Sequence, residues 1–371
     1  MSVDDRDDSS TMKALVFQGR DRVVLEDRPR PSIIDTTDAL VRITTTSICG
    51  TDLHILHGDV PGIGAGRILG HEGVGVVEAV GPDVTAFQQG DRVVISLISS
   101  CGRCRSCRKA MPSHCLTGGW RLGNSIDGTQ AEYVRVPYAD TGLFLLPPEI
   151  GAAAAVMLSC AFPTGMECGT LNGRVQPGDR VAIVGDGPVG LATMLTAQFF
   201  SPAQIVMIGR DEHRLTTALA LGAAAVIDSS DGNAAERVME LTDGEGVDVA
   251  IEAVGIPETF ELCQEIVAPG GRIANVGVHS KPVELHLERL WASNITLTTR
   301  LVDAGTTPLL LRMIQSGRLA PECLVSHTFT LSDTVQAYNT FAHAAKERAL
   351  KVIITNEQFA SNRERPGELA P

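Results

Sequence analysis

Fifteen residues of the chain, CGRCRSCRKAMPSHC, hold four cysteines: Cys101, Cys104, Cys107 and Cys115, separated by two, two and seven residues. Four thiolates close a tetrahedral shell around Zn²⁺ and leave no position for a substrate. A Cys-X-X-Cys redox site is the rival reading, but it needs only two of the four. A disulfide knot fits poorly, because the nine cysteines are odd in number and the chain reads as belonging to a reducing compartment. Set among Arg, Lys, Gly and Ser, the stretch reads as a surface loop clamped by a structural zinc. A closed site does no chemistry, so the chemistry must lie elsewhere.

Three further stretches can supply it. CGTDLH contributes Cys49, Thr51, Asp52 and His54; GHEGVG contributes His71 and Glu72; SCAFPTG contributes Cys160 and Thr164. Two thiolates and one imidazole make a roughly neutral zinc site with its fourth position open. Taken singly, His71 on an apolar, Gly-flanked segment is more often structural, and Cys160 more often a small buried apolar residue.

The stretch VAIVGDGPVG matches G-x-G-x-x-G at Gly185, Gly187 and Gly190. These glycines allow a tight turn, close approach of the backbone to a pyrophosphate, and close helix–strand packing. An ordinary tight turn is the alternative. The context favours a dinucleotide: an apolar strand precedes the motif and an apolar helix follows. The next strand, QIVMIG, ends at Gly209, where an NAD-specific site carries an acid for the ribose 2′-OH. Gly209 leaves room for a 2′-phosphate, Arg210 follows to bind it, and Arg214 offers a second cation one turn on. Asp211 reads as the N-cap of the helix EHRLTTALA, with service to NAD as its alternative role. The sequence therefore favours NADP(H) over NAD(H).

The elements that must position these residues fall into two textures. From Met12 to about Pro148, short alternating runs such as KALVF, ALVRITTTSI, EGVGVVEAV, DRVVIS and AEYVRV are broken by Gly and Pro, which predicts a β-rich domain. From Arg180, strand-like and helix-like stretches alternate, which predicts a doubly wound parallel α/β sheet. The helix-like TPLLLRMIQSG and the strand-like VSHTFTL and ALKVIIT are assigned back to the first domain. The expected division is 1–158 with 302–371 for the zinc-binding domain, and 159–301 for the dinucleotide domain. Residues 1–11 and about 357–371 read as loose polar tails. A length of 371 residues suits two domains, and 44% apolar with 20% charged residues suits a soluble globular protein. A net charge of −13 argues against nucleic acid. No apolar run is long enough for a membrane span, and no secretory signal begins the chain, so it reads as cytoplasmic.

With CGTDLH, GHEGVGVVEAVG, GDRVV, the four-cysteine lobe, PTG and VGDGPVG in this order, the chain resembles the zinc-dependent medium-chain alcohol dehydrogenases from about Met12 to Thr355. The resemblance implies a partly barrel-like, GroES-like catalytic domain beside a Rossmann domain, and two zinc ions per chain. The Cys₂His set is the known ligand set of alcohol dehydrogenase, so Cys49, His71 and Cys160 as catalytic ligands come with the resemblance. Zinc then acts as a Lewis acid on the substrate oxygen, and hydride passes between substrate and nicotinamide. Thr51 begins a proton relay that reaches solvent at His54, Asp52 orients His71, and Glu72 lies behind the metal as an occasional ligand. Thr164 packs near the nicotinamide with Pro188 and Val189 at the glycine turn, and Lys351 is a pyrophosphate contact, against the alternative of a solvated strand-end lysine. Leu97 and Trp120 line an apolar substrate pocket; Trp120 reads equally as an anchor for the lobe. Two positions depart from common patterns: Cys160 stands where many bacterial relatives have Asp, and Gly50 where some have a basic residue. The implied partners are a small alcohol, aldehyde or ketone and further copies of the chain, as a homodimer or homotetramer paired through NITLTTRLV. A polyol, threonine or formaldehyde-type dehydrogenase is the alternative on the same scaffold. A silent nicotinamide-binding protein is the remote one, disfavoured by the intact ligand set.

Overall fold

The computed structural model describes residues 10–356; apart from Ser10 and Thr11, the expected tails lie outside the described residues. Thr11 itself already belongs to the first strand, Thr11–Phe17. Two compact units are present. The first comprises residues up to Val156, His327–His343 and the segment from Lys351; the second comprises Met157–Ser326 and Ala344–Leu350.

In the first unit, Thr11–Phe17 pairs antiparallel with Val23–Pro29 and with the short Arg67–Ile68. A second sheet is built around Ala39–Ser47, which carries Gly73–Val80, Tyr133–Val136 and Lys351–Thr355, all antiparallel. Apolar residues of these strands and of Arg92–Ile95, which pairs with Gly73–Val80, form one buried core that includes Val41, Ile43, Val77, Val93, Ile95 and Val134. The alternating runs read in the sequence all form strands here. Ala39–Ser47 runs directly into Cys49 and the helix Gly50–His57. The last strand returns beside it, with Ile48 N–H donating to the Val352 carbonyl at 3.1 Å.

The second unit is a six-stranded parallel sheet in the order Ala225–Asp228, Gln204–Gly209, Arg180–Val184, Val247–Glu252, Val267–Asn275, Thr296–Thr299. In chain order this is 3-2-1-4-5-6, the dinucleotide-binding arrangement, with its crevice beyond the carboxyl ends where the order reverses. Strands buried on both faces read as unbroken apolar runs, and Val181 to Val184 are all buried. The connecting helices include Pro188–Ala197, Glu212–Ala220, Ala234–Leu241 and Pro257–Ile266.

The division differs from the sequence expectation in three places. Met157 with Leu158, and Ala344–Leu350, expected in the first domain, fall in the second unit. Residues 302–326, also expected in the first domain, pack in the second unit too. The reason for this last difference is a buried carboxylate: Glu167 accepts the N–H groups of Asp303 (2.8 Å), Ala304 (3.2 Å) and Thr306 (2.8 Å) and the Thr306 hydroxyl (2.9 Å). Glu167 lies in a π-helical stretch, Gly165–Leu171, and a buried charge of this kind must be fully hydrogen-bonded. The helix Thr307–Gln315 follows from that anchor. No helix among the described residues is long and apolar enough to cross a membrane.

Candidate metal and cofactor sites

The short helix Gly50–His57 in the first unit carries Thr51 and His54, the residues expected to form a relay. Cys49 is its N-cap, and the Cys49 N–H donates to the Asp52 carboxylate at 2.9 Å. Thr51 Oγ1 lies 3.7 Å from Cys49 Sγ. His54 follows one turn later on the same face, half exposed, with Nδ1 3.2 Å from Asp59 Oδ2. His71 arrives on the loop before Gly73–Val80 and is buried. Its Nδ1 faces Asp52 Oδ1 at 3.6 Å, so Asp52 is placed to orient the ring, at longer range than a full hydrogen bond. Cys49, His71 and Glu72 bring potential ligand atoms within 4.8 Å of one another.

Burial opposes protonation of His71, yet the Asp52 carboxylate and Cys49 hold its pKa well above the ordinary histidine value. Metal binding needs the neutral ring and therefore releases that proton. Glu72 is also buried. Its Oε2 takes hydrogen bonds from the Ser47 hydroxyl and the Lys351 ammonium, while Oε1 has no partner among the described residues. A buried, orphaned carboxylate oxygen beside a thiol and an imidazole fits a cation.

Lys351 is neither a pyrophosphate contact nor a solvated lysine here. It is buried, 2% exposed, and its ammonium is held by Glu72. Burial of a lysine demands a partner charge, and Glu72 is that charge. Two residues that the sequence did not flag complete the surroundings. Gln130 Nε2 donates to Asp52 Oδ2 at 3.3 Å, and the Tyr338 hydroxyl donates to Gln130 Oε1 at 2.8 Å. Neither belongs to a motif; only the fold joins positions 52, 130 and 338. Leu97 is buried, and the half-buried Trp120 presents an edge-on contact to His71 with ring centroids 5.9 Å apart. Trp120 also pairs with Ile98 and donates Nε1–H to the Leu122 carbonyl at 3.0 Å, so it anchors the segment as well.

The four cysteines of the lobe converge. Two short 3₁₀ turns, Cys107–Lys109 and Pro112–His114, fold the chain back so that the sulfurs of Cys101, Cys104, Cys107 and Cys115 all lie within 4.8 Å of one another. A zinc–sulfur bond of ~2.3 Å gives a tetrahedral edge of about 3.8 Å, so the cage fits the ion. Backbone N–H groups of Cys107 and Leu116 hold the Cys104 thiol down to about 6, while burial and the thiols of Cys104 and Cys115 push Cys107 up to about 11. No cysteine among the described residues forms a disulfide.

In the second unit, Cys160 caps the short helix Ala161–Thr164, buried, with its sulfur 3.8 Å from Thr164 Oγ1. The glycine turn is a cradle. Gly185 has φ +127°, a Cβ on Gly190 would lie 1.8 Å from the Gly185 carbonyl oxygen, and a Cβ on Gly187 would meet open space. Gly187 caps the helix that Pro188 and Val189 open, so its N-terminus is available to a pyrophosphate. Asp211 is the N-cap of Glu212–Ala220, accepting the Arg214 N–H at 3.1 Å, as its position in the sequence implies. Arg214 does not offer the second cation for a phosphate. Its guanidinium donates to the Ala349 carbonyl at 2.8 Å and lies 3.8 Å from Asp186 Oδ1, only 17% exposed. Arg210 remains exposed at the end of the strand.

A doubly wound dinucleotide fold, joined in sequence to a β-rich unit with thiolate and imidazole clusters, defines a metal-using dehydrogenase. Comparisons with known proteins agree. Residues 35–148 match the alcohol dehydrogenase GroES-like domain and 188–316 the zinc-binding dehydrogenase domain. An alcohol dehydrogenase of Cupriavidus necator is 36% identical over 93% of this chain and 99% of its own. The NADP-dependent isopropanol dehydrogenase of Entamoeba histolytica is 31% identical, over 86% of this chain and 89% of its own. The solved structure of zinc dependent alcohol dehydrogenase 2 from Streptococcus pneumonia, in its apo form, matches with a TM-score of 0.89 and 50% identity, covering 93% of this chain and 99% of that one. The chain belongs to the zinc-type medium-chain alcohol dehydrogenases, oxidoreductases that interconvert alcohols and carbonyl compounds.

Proposed function

We propose that the chain is an NADP(H)-dependent alcohol dehydrogenase with two zinc sites: a catalytic one at Cys49, His71 and Cys160, and a structural one at Cys101, Cys104, Cys107 and Cys115. The observation that carries the reading is the convergence of half-buried Cys49 with buried His71 and Glu72, and the orphaned carboxylate oxygen of Glu72. When bound, zinc supplies Lewis acidity that brings an alcohol's pKa toward neutrality. Asp52 holds the His71 ring in orientation from one side, and Trp120 packs on it edge-on. Thr51 Oγ1, beside Cys49, would accept the hydroxyl proton as it gives up its own, and His54, half exposed one turn on and paired with Asp59, would release a proton to solvent. Leu97 and Trp120 make an apolar wall, which suits small aliphatic or aromatic alcohols and their aldehydes or ketones over polyols. The glycine turn holds the pyrophosphate, with Thr164 and Val189 beside the nicotinamide. Gly209 and Arg210 favour a ribose 2′-phosphate, in keeping with the Entamoeba relative's described cofactor.

Cysteines that form no disulfide suit a cytoplasmic, reducing setting. The open edge of the parallel sheet suits a homodimer or homotetramer. The test is nicotinamide absorbance with both dinucleotides against a panel of aliphatic and aromatic alcohols, aldehydes, ketones, polyols and threonine, with and without a chelator. Turnover of apolar alcohols or carbonyls, lost on chelation and favouring NADP(H), is expected. Activity that survives complete zinc removal, or turnover of polyols or threonine alone, would overturn the reading. Arg210→Ala should raise the KM for NADP(H) and leave that for NAD(H) nearly unchanged.

A further inference from the structure

The end of the strand Gln204–Gly209 holds a carboxylate that the glycine motif hides. Asp186 is the variable residue between Gly185 and Gly187, yet its side chain crosses to the neighbouring strand. Its Oδ2 accepts the N–H groups of both Arg210 and Asp211 at 2.9 Å. A Cβ built on Gly209 would lie 2.1 Å from Asp186 Oδ2, 2.5 Å from its Cγ and 2.6 Å from its Cβ. No real Cβ makes such contacts. Position 209, where an NAD-specific site carries its acid, is therefore closed to a side chain while Asp186 keeps this conformation.

We propose that Asp186 is a specificity-determining residue for the dinucleotide, acting through its exclusion of any side chain at Gly209 and its hold on the Arg210 backbone. The proposal deepens the NADP(H) reading and rests on it for its direction. Two backbone donors and the nearby Arg214 guanidinium offset the Asp186 charge. That engages Oδ2 with two donors and leaves Oδ1 facing the Arg214 guanidinium at 3.8 Å. It also fixes the turn from which the exposed Arg210 side chain departs. A guanidinium on a fixed turn is a prepared phosphate ligand. Gly209 is then half of a pair: the strand-end acid is absent because another carboxylate already fills its space.

The experiment uses the zinc-loaded protein and three variants, Asp186→Ala, Gly209→Asp and the double substitution. It reads dissociation constants for NADPH and NADH by nucleotide fluorescence, together with Tm. Asp186→Ala should weaken NADPH by about tenfold or more and move NADH by less than about threefold, since a fixed charged hydrogen bond is lost for one ligand only. Gly209→Asp alone should lower Tm and weaken both dinucleotides. The double variant should recover Tm relative to Gly209→Asp and bind NADH more tightly than NADPH. Two results would overturn the proposal. One is Gly209→Asp with wild-type Tm and a preference for NADH, which removes the exclusion. The other is Asp186→Ala that weakens NADH and tightens NADPH, which makes Asp186 itself the ribose acceptor. A wild-type preference for NADH would sink the cofactor reading and with it the direction of the proposal, while the Tm of the double variant against Gly209→Asp separately decides the exclusion.

Discussion

Glu72 and Lys351 show how much a single pair can carry at the residue scale. Both are buried, with side chains 1% and 2% exposed, and each is the other's counter-charge. Removing one partner of a buried pair leaves an uncompensated charge and costs about 3–5 kcal/mol. Lys351→Met should therefore lower stability by that order in thermal or denaturant unfolding, and Glu72→Gln in the same background should recover part of it. A Lys351→Met variant with wild-type stability would mean the pair is not formed. Cys49 separates chemistry from folding. Cys49→Ala should abolish turnover, remove one zinc per chain by metal analysis, and leave Tm close to wild type. Tyr338→Phe strips the donor from buried Gln130 and should cost about 1–3 kcal/mol, the penalty of an unsatisfied polar group. The candidate ligands could be picked from the sequence because their type and order are themselves the signal. Lys351 and Asp186 were misjudged or passed over because their partners lie far along the chain: the Lys351–Glu72 contact spans 279 residues.

At the scale of elements, the hydrophobic rhythm located the strands and helices well, since runs such as RVAIV admit only a strand buried on both faces. The boundary at 302–326 was not legible, because it depends on one carboxylate, Glu167, meeting backbone donors more than 130 residues away. The four-cysteine lobe has little regular structure of its own, only short 3₁₀ turns, so the proposed zinc would be its main clamp. Cys104→Ala should lower Tm or cause aggregation and remove the other zinc, the opposite signature to Cys49→Ala. A loop on the surface of the first unit offers a pH test. Asp140 accepts the N–H of Ala86 at 3.0 Å and the N–H and hydroxyl of Thr85 at 3.1 and 2.7 Å. Burial would raise its pKa, but these donors win and hold it below the ordinary carboxylate value. A carboxyl lowered by folding stabilises above its unfolded pKa, and that contribution is lost as pH falls through the folded value. Asp140→Asn should therefore cost up to about 1 kcal/mol near neutral pH, discounted for its exposure, and converge on wild type in acid. Equal destabilisation at both pH values would show that the charge plays no part.

For the whole molecule, the parallel sheet ends at Thr296–Thr299, the outermost strand of the order, paired on one side only among the described residues. Its sequence, TLTT, is rich in β-branched residues and carries no charge or proline to blunt the edge. Exposed apolar residues flank it in sequence, Trp291 at 79% and Leu301 at 46%. An open edge of this kind is stable in solution when a second copy covers it, and a twofold axis lets the same strand meet itself. The proposed homo-oligomer should therefore appear as a dimer or larger species by light scattering at micromolar concentration. In that state, backbone amides of Thr296–Thr299 that face away from Val267–Asn275 should exchange slowly with deuterium. In a monomer they would face water and exchange fast. A monomer by scattering, or rapid exchange of those amides in an oligomer, would move the interface away from this edge.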